Sequence, residues 1–360
     1  APAKAGPGPR CGAERPRWRR GVAVAALALG LARHAQRGRG RRRRCRGAPT
    51  RMWAAKYQSP NDIAEEKVRK KSLDDEVQSA VEAASPVPQT FDQACAWASA
   101  AALNAVSKGK MLQTMYFNAG GSDDADIQGD LGNVLDFAET FSKMLCQAAP
   151  LEEGIVRVVL PDLGAAAMVK QKWETNSDAG ELPENMQIDY LPPMSSSSSS
   201  EGSSKYVELM DAEMLVILAP KQSECGSILK LIDGMNKVGK DIPLVLINPA
   251  LSGGSAGLLV KQARSLLAQA THTYHMAQYE PISDDPNMAA GVVSRVWPRP
   301  FSAWEDNPED PDSTDGYFLM DVSDKAPDSE AVFAMLEASR DLRVKMNQKL
   351  KQMAKPRVRS

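Results

Sequence analysis

Residues 214–249 constrain the fold of this chain more than any other stretch. They read MLVILAP, then a segment of helical period, SECGSILKLIDGMNKVGKDI, then PLVLINP. Runs of four or five aliphatic residues have no polar face to offer water, so a strand built from one must be covered on both sides. Each run ends in a small or amide residue followed by proline, which stops a strand. Strand, helix and strand in this order form a βαβ unit with two buried parallel strands. The pattern predicts an α/β fold: a mainly parallel, Rossmann-like sheet with helices on both faces and antiparallel strands at one edge. A charge at Val216 or Ile217 is expected to unfold such a domain.

The rest of the chain extends this alternation. Residues 52–87 are charged, with a thin apolar stripe, and read as a partly helical linker ended by Pro86 and Pro88. The domain spans 88–325. Thr90 caps a helix through Leu103, Lys108-Gly109-Lys110 stops it, and 111–118 is a strand. Apolar spacing predicts a helix over 128–147. Strands follow at 155–160, 187–191, 271–279, 292–296 and 317–322, with helices over 165–173 and 258–270. Six consecutive serines mark 194–204 as a surface loop, and 298–316 reads as a proline-rich acidic loop. Residues 326–360 form an amphipathic helix, with Val332, Met335, Leu336 and Leu342 inward, and a basic tail.

The two ends differ in charge. Residues 1–51 carry 15 Lys and Arg against one acid, Glu14, a net of +14, although the whole chain has a net charge of −1. The remainder is therefore acidic, at about −15. Within 1–51, arginines flank an eleven-residue apolar run, Val22–Ala32. As a helix it spans about 16 Å, roughly half a bilayer core, which is too short for an anchor. A short apolar run followed by an Arg-rich, acid-poor segment matches a bipartite plastid targeting leader, removed on import. The alternative is a basic arm that contacts RNA or DNA phosphates. An acidic mature domain argues against nucleic acid as its main partner. The five cysteines have neither zinc nor disulfide spacing, so buried thiols in a reducing compartment are expected.

A set of motifs in fixed order carries a resemblance: VRVVLPD (156–162) with Trp173 downstream, LVILAP (215–220), PLVLINPAL (243–251), Arg264, YHMAQYEP (274–281) and GVVSRVWPRPFSAW (291–304). From Phe91 to about Asn307 the chain resembles a plastid and cyanobacterial domain-of-unknown-function family. That family includes a factor whose loss lowers photosystem II accumulation, and its domain also occurs attached to some plastid adenylate kinases. The resemblance implies a plastid protein, in the stroma or on the thylakoid, whose partners are photosystem assembly proteins or the thylakoid surface. It brings no catalytic residues.

Open parallel sheets bind ligands beyond the carboxyl ends of their strands. Asp162, Lys221 and Asn248 stand at three such ends, and a carboxylate, a cation and an amide on one rim suit a small phosphorylated or carboxylated molecule. The competing reading has the prolines shaping turns and the polar side chains capping helices. Ser252, Gly253 and Gly254 precede a helix and offer backbone N–H groups to an anion, but they match neither a Walker loop nor GxGxxG. His272 and His275 lie three apart in a strand, so alternation sends them to opposite faces and no metal centre is expected. Trp297, Phe301 and Trp304 sit beside prolines, either as a patch for a protein or membrane or as edge packing. With no catalytic residues and no cofactor indicated, the expected function is that of a non-enzymatic plastid factor. An enzyme or sensor with a small phosphorylated ligand is the alternative.

Overall fold

The computed structural model describes residues 75–76, 78–118, 131–148, 151, 154–175, 181–193, 200–251, 257–281, 289–306 and 316–354. The basic leader, most of the charged linker, residues 194–199 of the serine run, Ser252–Gly254 and the basic tail lie outside the described residues.

Among the described residues nine strands form one sheet: β1 (Leu112–Asn118), β2 (Val156–Leu160), β3 (Met186–Tyr190), β4 (Met214–Leu218), β5 (Leu244–Ile247), β6 (Thr271–Tyr279), β7 (Gly291–Val296), β8 (Phe301–Asp306) and β9 (Tyr317–Ser323). Their order is β3-β2-β4-β5-β1-β6-β7-β8-β9. Pairing is parallel from β3 to β6 and antiparallel from β6 to β9. The helices are α1 (Phe91–Ser107), α2 (Leu131–Cys146), α3 (Leu163–Thr175), α4 (Ser200–Leu209), α5 (Cys225–Val238), α6 (Leu258–Gln269) and α7 (Ser329–Ala354).

The βαβ unit is as the aliphatic runs require. β4 and β5 are neighbours, paired from Leu215↔Leu244 to Leu218↔Ile247, and every residue of both is buried. Their side chains alternate between two cores. Met214, Val216, Leu218, Val245 and Ile247 join α1, α2 and α3 on one face. Leu215, Ile217, Leu244 and Leu246 join α4, α5 and α6 on the other. The helices that carry the chain from β1 to β2 and β3 thus lie on one face, and those that carry it back through β4 and β5 to β6 lie on the other. One hand of crossover throughout gives this distribution.

Local signals explain the helix ends. Thr90 caps α1 by accepting from the Gln93 N–H, and Gly109 continues in the left-handed region at φ 73°. Gly239 ends α5 in the same way, at φ 67°. On α5, Ile228, Leu231 and Met235 are buried, Ile232 is half-buried, and Val238 is exposed.

Three readings of the sequence change. Residues 200–204, read as the end of the serine loop, are helical: they open α4, which docks through Tyr206 and Leu209, and tertiary burial overrides the poor helix propensity of serine. Phe301–Asp306 is strand β8 and not loop, paired on both sides, with Phe301, Ala303 and Glu305 buried on one face. Leu342 faces solvent; α7 packs on the antiparallel strands through Val332 and Leu336 instead. Glu305, fully buried, ties the helix to β8 by accepting from Arg343 Nη1 and from Ser339 Oγ at 2.5 Å.

The end of the charged linker also belongs to the core. Residues 78–83 are helical, and Ser85 is fully buried against β7 and β8. Its N–H donates to Ser302 Oγ (2.7 Å) and its hydroxyl donates to the Pro300 carbonyl (2.7 Å). Its carbonyl accepts from Ser294 Oγ (2.9 Å) and Trp304 Nε1 (3.0 Å), and its hydroxyl oxygen accepts from the Val296 N–H (3.0 Å).

Candidate functional site

The strand order brings the three polar strand ends together. β2, β4 and β5 are consecutive, so Asp162, Lys221 and Asn248 stand on one rim. β2 hands the chain to α3 on one face and β4 to α5 on the other, so the sheet splits between them. A second split lies between β5 and β1, whose following helices also diverge. Such splits are where open sheets receive ligands.

Two of the three side chains there complete the backbone. Asp162 Oδ1 accepts from the Ala165 N–H at 2.8 Å, so Asp162 caps α3. Asn248, buried, spans the β5–β1 split: its Oδ1 accepts from the Phe117 N–H and its Nδ2 donates to the Phe117 carbonyl, both at 2.7 Å. The Asn248 N–H still pairs with the Met115 carbonyl at 2.8 Å. The next ladder rung would need the Asn248 carbonyl and the Ala250 N–H. The chain instead turns left-handed at Asn248 (φ 46°), Ala250 N–H pairs with Pro220, and the carboxamide stands in for both missing groups. β4 ends alike, with Ala219 at φ 42° before Pro220. Lys221 is exposed, and its ammonium has no carboxylate partner among the described residues. Ser252, Gly253 and Gly254 lie outside the described residues.

Of the aromatic trio, Phe301 is buried at 3% exposure and belongs to the α7 core, because the alternation of β8 points it inward. Trp304 is half-buried with its indole N–H engaged by Ser85 and Ser294, and Trp297 is half-buried.

The histidine pair is the main correction. His272 and His275 share one face, because the β1–β6 register shifts: Thr114 pairs with His272 but Met115 with Tyr274, leaving Thr273 as an extra residue. That bulge resets the alternation. His275 Nδ1 and His272 Nε2 are 3.2 Å apart, and His272 Nδ1 is 3.1 Å from Thr114 Oγ1. Tyr116 stacks on His275 with ring centroids 5.0 Å apart, and Phe301 lies 5.2 Å from His272 and 5.5 Å from His275. Arg295, directly opposite His275 on β7, lays its guanidinium over the Phe301 ring at 4.5 Å.

Burial dominates the electrostatics of this cluster. It pushes His272 down to about 4, helped by the Arg295 charge, and holds His275 well below the ordinary imidazole range, helped by His272 and Arg295. Both imidazoles are therefore neutral at neutral pH. Burial also lowers Arg295, against the pull of Asp324. Among the described residues, His275 Nε2 and Arg295 Nε are buried without a hydrogen-bond partner. Among the described residues no group of three or more His, Cys, Asp or Glu is placed to hold a metal ion. Cys95, Cys146 and Cys225 are buried free thiols; burial raises Cys95 to about 12 and Cys146 to about 11.

Sequence reasoning overlooked Thr114, Tyr116 and Arg295 as members of this cluster. One signal was available: in VVSRV (292–296), alternation puts Arg295 on the face of Val293, so a guanidinium lines an otherwise apolar stripe.

None of the curated proteins matches this chain. The model of a domain of unknown function, DUF1995, matches residues 88–334, more than half of the chain and all nine strands, and the chain belongs to that family.

Proposed function

We propose that this chain is a non-enzymatic plastid factor, stromal or thylakoid-associated, that supports the assembly or accumulation of photosystem II by binding assembly proteins or the thylakoid surface. The observation that carries this reading is the use of the carboxyl rim. Asp162 and Asn248, the groups best placed for chemistry at the sheet's splits, are spent on capping α3 and bridging β5 to β1. The resemblance to photosystem II accumulation factors and the leader-like composition of residues 1–51 support the compartment. The test is fractionation of the tagged protein, followed by affinity capture from solubilised thylakoids. Recovery in plastids with photosystem II subunits or assembly proteins is expected; residence outside plastids refutes the reading.

A second reading is favoured by one observation. Lys221 presents an exposed ammonium, with no carboxylate partner among the described residues, beside two left-handed turns, at Ala219 and Asn248, and strained backbone of this kind concentrates at ligand sites. On this reading the rim holds a small phosphorylated molecule. Nucleotides and sugar phosphates should then raise the melting temperature, and Lys221→Ala should abolish the rise. No shift with any of them rejects it.

A further inference from the structure

The histidine cluster contains two buried nitrogens, His275 Nε2 and Arg295 Nε, that have no hydrogen-bond partner among the described residues. Arg295 cannot lose its proton, so its Nε is a donor under all conditions, and it is buried without an acceptor among the described residues. Its charge is likewise unmatched in contact: among the described residues no salt bridge reaches it, and Asp324 acts only at a distance. The guanidinium carbon lies 4.5 Å over the Phe301 ring, and an aromatic contact of this kind uses none of the guanidinium's N–H donors.

His275 supplies the second group. It is 8% exposed, and its Nε2 has no partner among the described residues. The contacts from Thr114 Oγ1 through His272 to His275 form a chain with two proton arrangements. When the Thr114 hydroxyl donates to His272 Nδ1, His272 Nε2 carries a proton and donates to His275 Nδ1. The proton of neutral His275 is then on Nε2, a donor facing no acceptor. The opposite arrangement leaves a lone pair there. An acceptor brought to Nε2 selects the first arrangement, and the Arg295 cation on the facing strand favours an acceptor that is negative. A metal cation fits poorly: the facing imidazole nitrogens are engaged with each other, no third ligand is present among the described residues, and Arg295 repels it.

We propose that His275 and Arg295, on the β6–β7 step of the sheet, bind an oxyanion: the carboxylate or phosphate group of a small molecule. Tyr116, Phe301, His272 and Thr114 hold the two donors in place. The site is separate from the carboxyl rim and exists because of the bulge at Thr273.

The chain has three histidines, of which one, His34, lies outside the described residues, so imidazole NMR reads the site directly. The ¹⁵N-histidine-labelled chain carrying His34→Gln is titrated at pH 7 and constant ionic strength with inorganic phosphate and, separately, with acetate. A saturable shift at His275 Nε2, with the signal moving to the protonated-Nε2 tautomer, is expected. Response to phosphate alone assigns a phosphoryl ligand, response to acetate alone a carboxylate, and response to both the shared chemistry. Arg295→Gln should weaken binding by about tenfold or more. If that variant does not fold, Arg295→Lys, which keeps the charge but lacks the Nε donor, replaces it. Histidine signals unmoved by either ion overturn the proposal, and so does an equal response with Arg295 replaced.

Discussion

Replacing Asn248 separates a structural role at the rim from a ligand-binding one. Asn248→Ala removes both bonds to Phe117, whose N–H and carbonyl face the β5 side of β1 and are buried. Each orphaned buried group costs about 1–3 kcal/mol. The left-handed turn at φ 46° adds about 1 kcal/mol for a residue with a Cβ and no polar side chain. The expected loss is therefore about 3–7 kcal/mol, a large part of the ~5–15 kcal/mol that holds an ordinary domain. Asn248→Gly loses the bonds without the backbone strain and should be milder than alanine by about 1 kcal/mol. Ala219→Gly, at φ 42° with no side-chain bonds to lose, should be neutral or stabilising by up to about 1 kcal/mol. Urea unfolding followed by circular dichroism and tryptophan fluorescence gives all three values from the midpoints and slopes. Asn248→Ala within about 0.5 kcal/mol of the parent would refute the bridging role. Equal losses for alanine and glycine would refute the argument from backbone strain.

Three further outcomes follow from the same bonds and burial. A chain beginning at residue 88, where the family match starts, lacks Ser85 and its bonds to β7 and β8; it should be about 2–4 kcal/mol less stable than one beginning at residue 75 in urea titrations. His272 takes its proton near 6.5 when unfolded but only near 4 when folded, and His275 is lowered in the same direction, so below pH 6.5 the unfolded chain binds more protons. Stability is then full above pH 6.5 and falls with pH towards 4, with His272 alone contributing about 1 kcal/mol per unit, a slope that urea midpoints at pH 7.5, 6 and 5 should show and that His272→Gln should reduce but not abolish, since His275 remains. Arg343→Met strips the buried Glu305 of its cation while Ser339 still donates to it, and should cost about 2–4 kcal/mol; adding Glu305→Gln should recover part of that loss in the same assay.

The parts of the fold that were legible are those in which one residue's chemistry decides its environment. The aliphatic runs of β4 and β5 admit only two-sided burial, Thr90 caps a helix wherever one begins, and Gly109 and Gly239 sit where a left-handed residue is needed. The parts that were not legible depend on partners far along the chain. Ser85 is an unremarked serine before a proline, and its partners lie more than 200 residues away, so no local pattern shows that it is core. β8 is masked by the prolines beside it and by Glu305, whose burial makes sense only once Arg343 and Ser339 of α7 are beside it. At the rim, Asp162 and Asn248 were recognised as polar strand ends, but only the adjacency of β5 and β1 reveals that Asn248 replaces ladder bonds.

The histidine pair shows why these failures are informative. Period-two alternation is a statement about an unbroken ladder, and β6 breaks it at Thr273 because β1 imposes its own register. The left-handed turns at Ala219 and Asn248 are similar departures from regular strand geometry. Polar side chains gather at both places: the carboxamide of Asn248 at one, the imidazoles with Thr114 and Arg295 at the other. At the rim, the departure is repaired within the fold, since the Asn248 side chain satisfies both groups that the turn leaves open. At the bulge, His275 Nε2 and Arg295 Nε have no partner among the described residues. Natural sequences depart from local rules chiefly where function or compensation maintains the departure. A departure that is compensated internally reads as structure, and the one without a partner among the described residues is where the proposed oxyanion would bind, on the β6–β7 step.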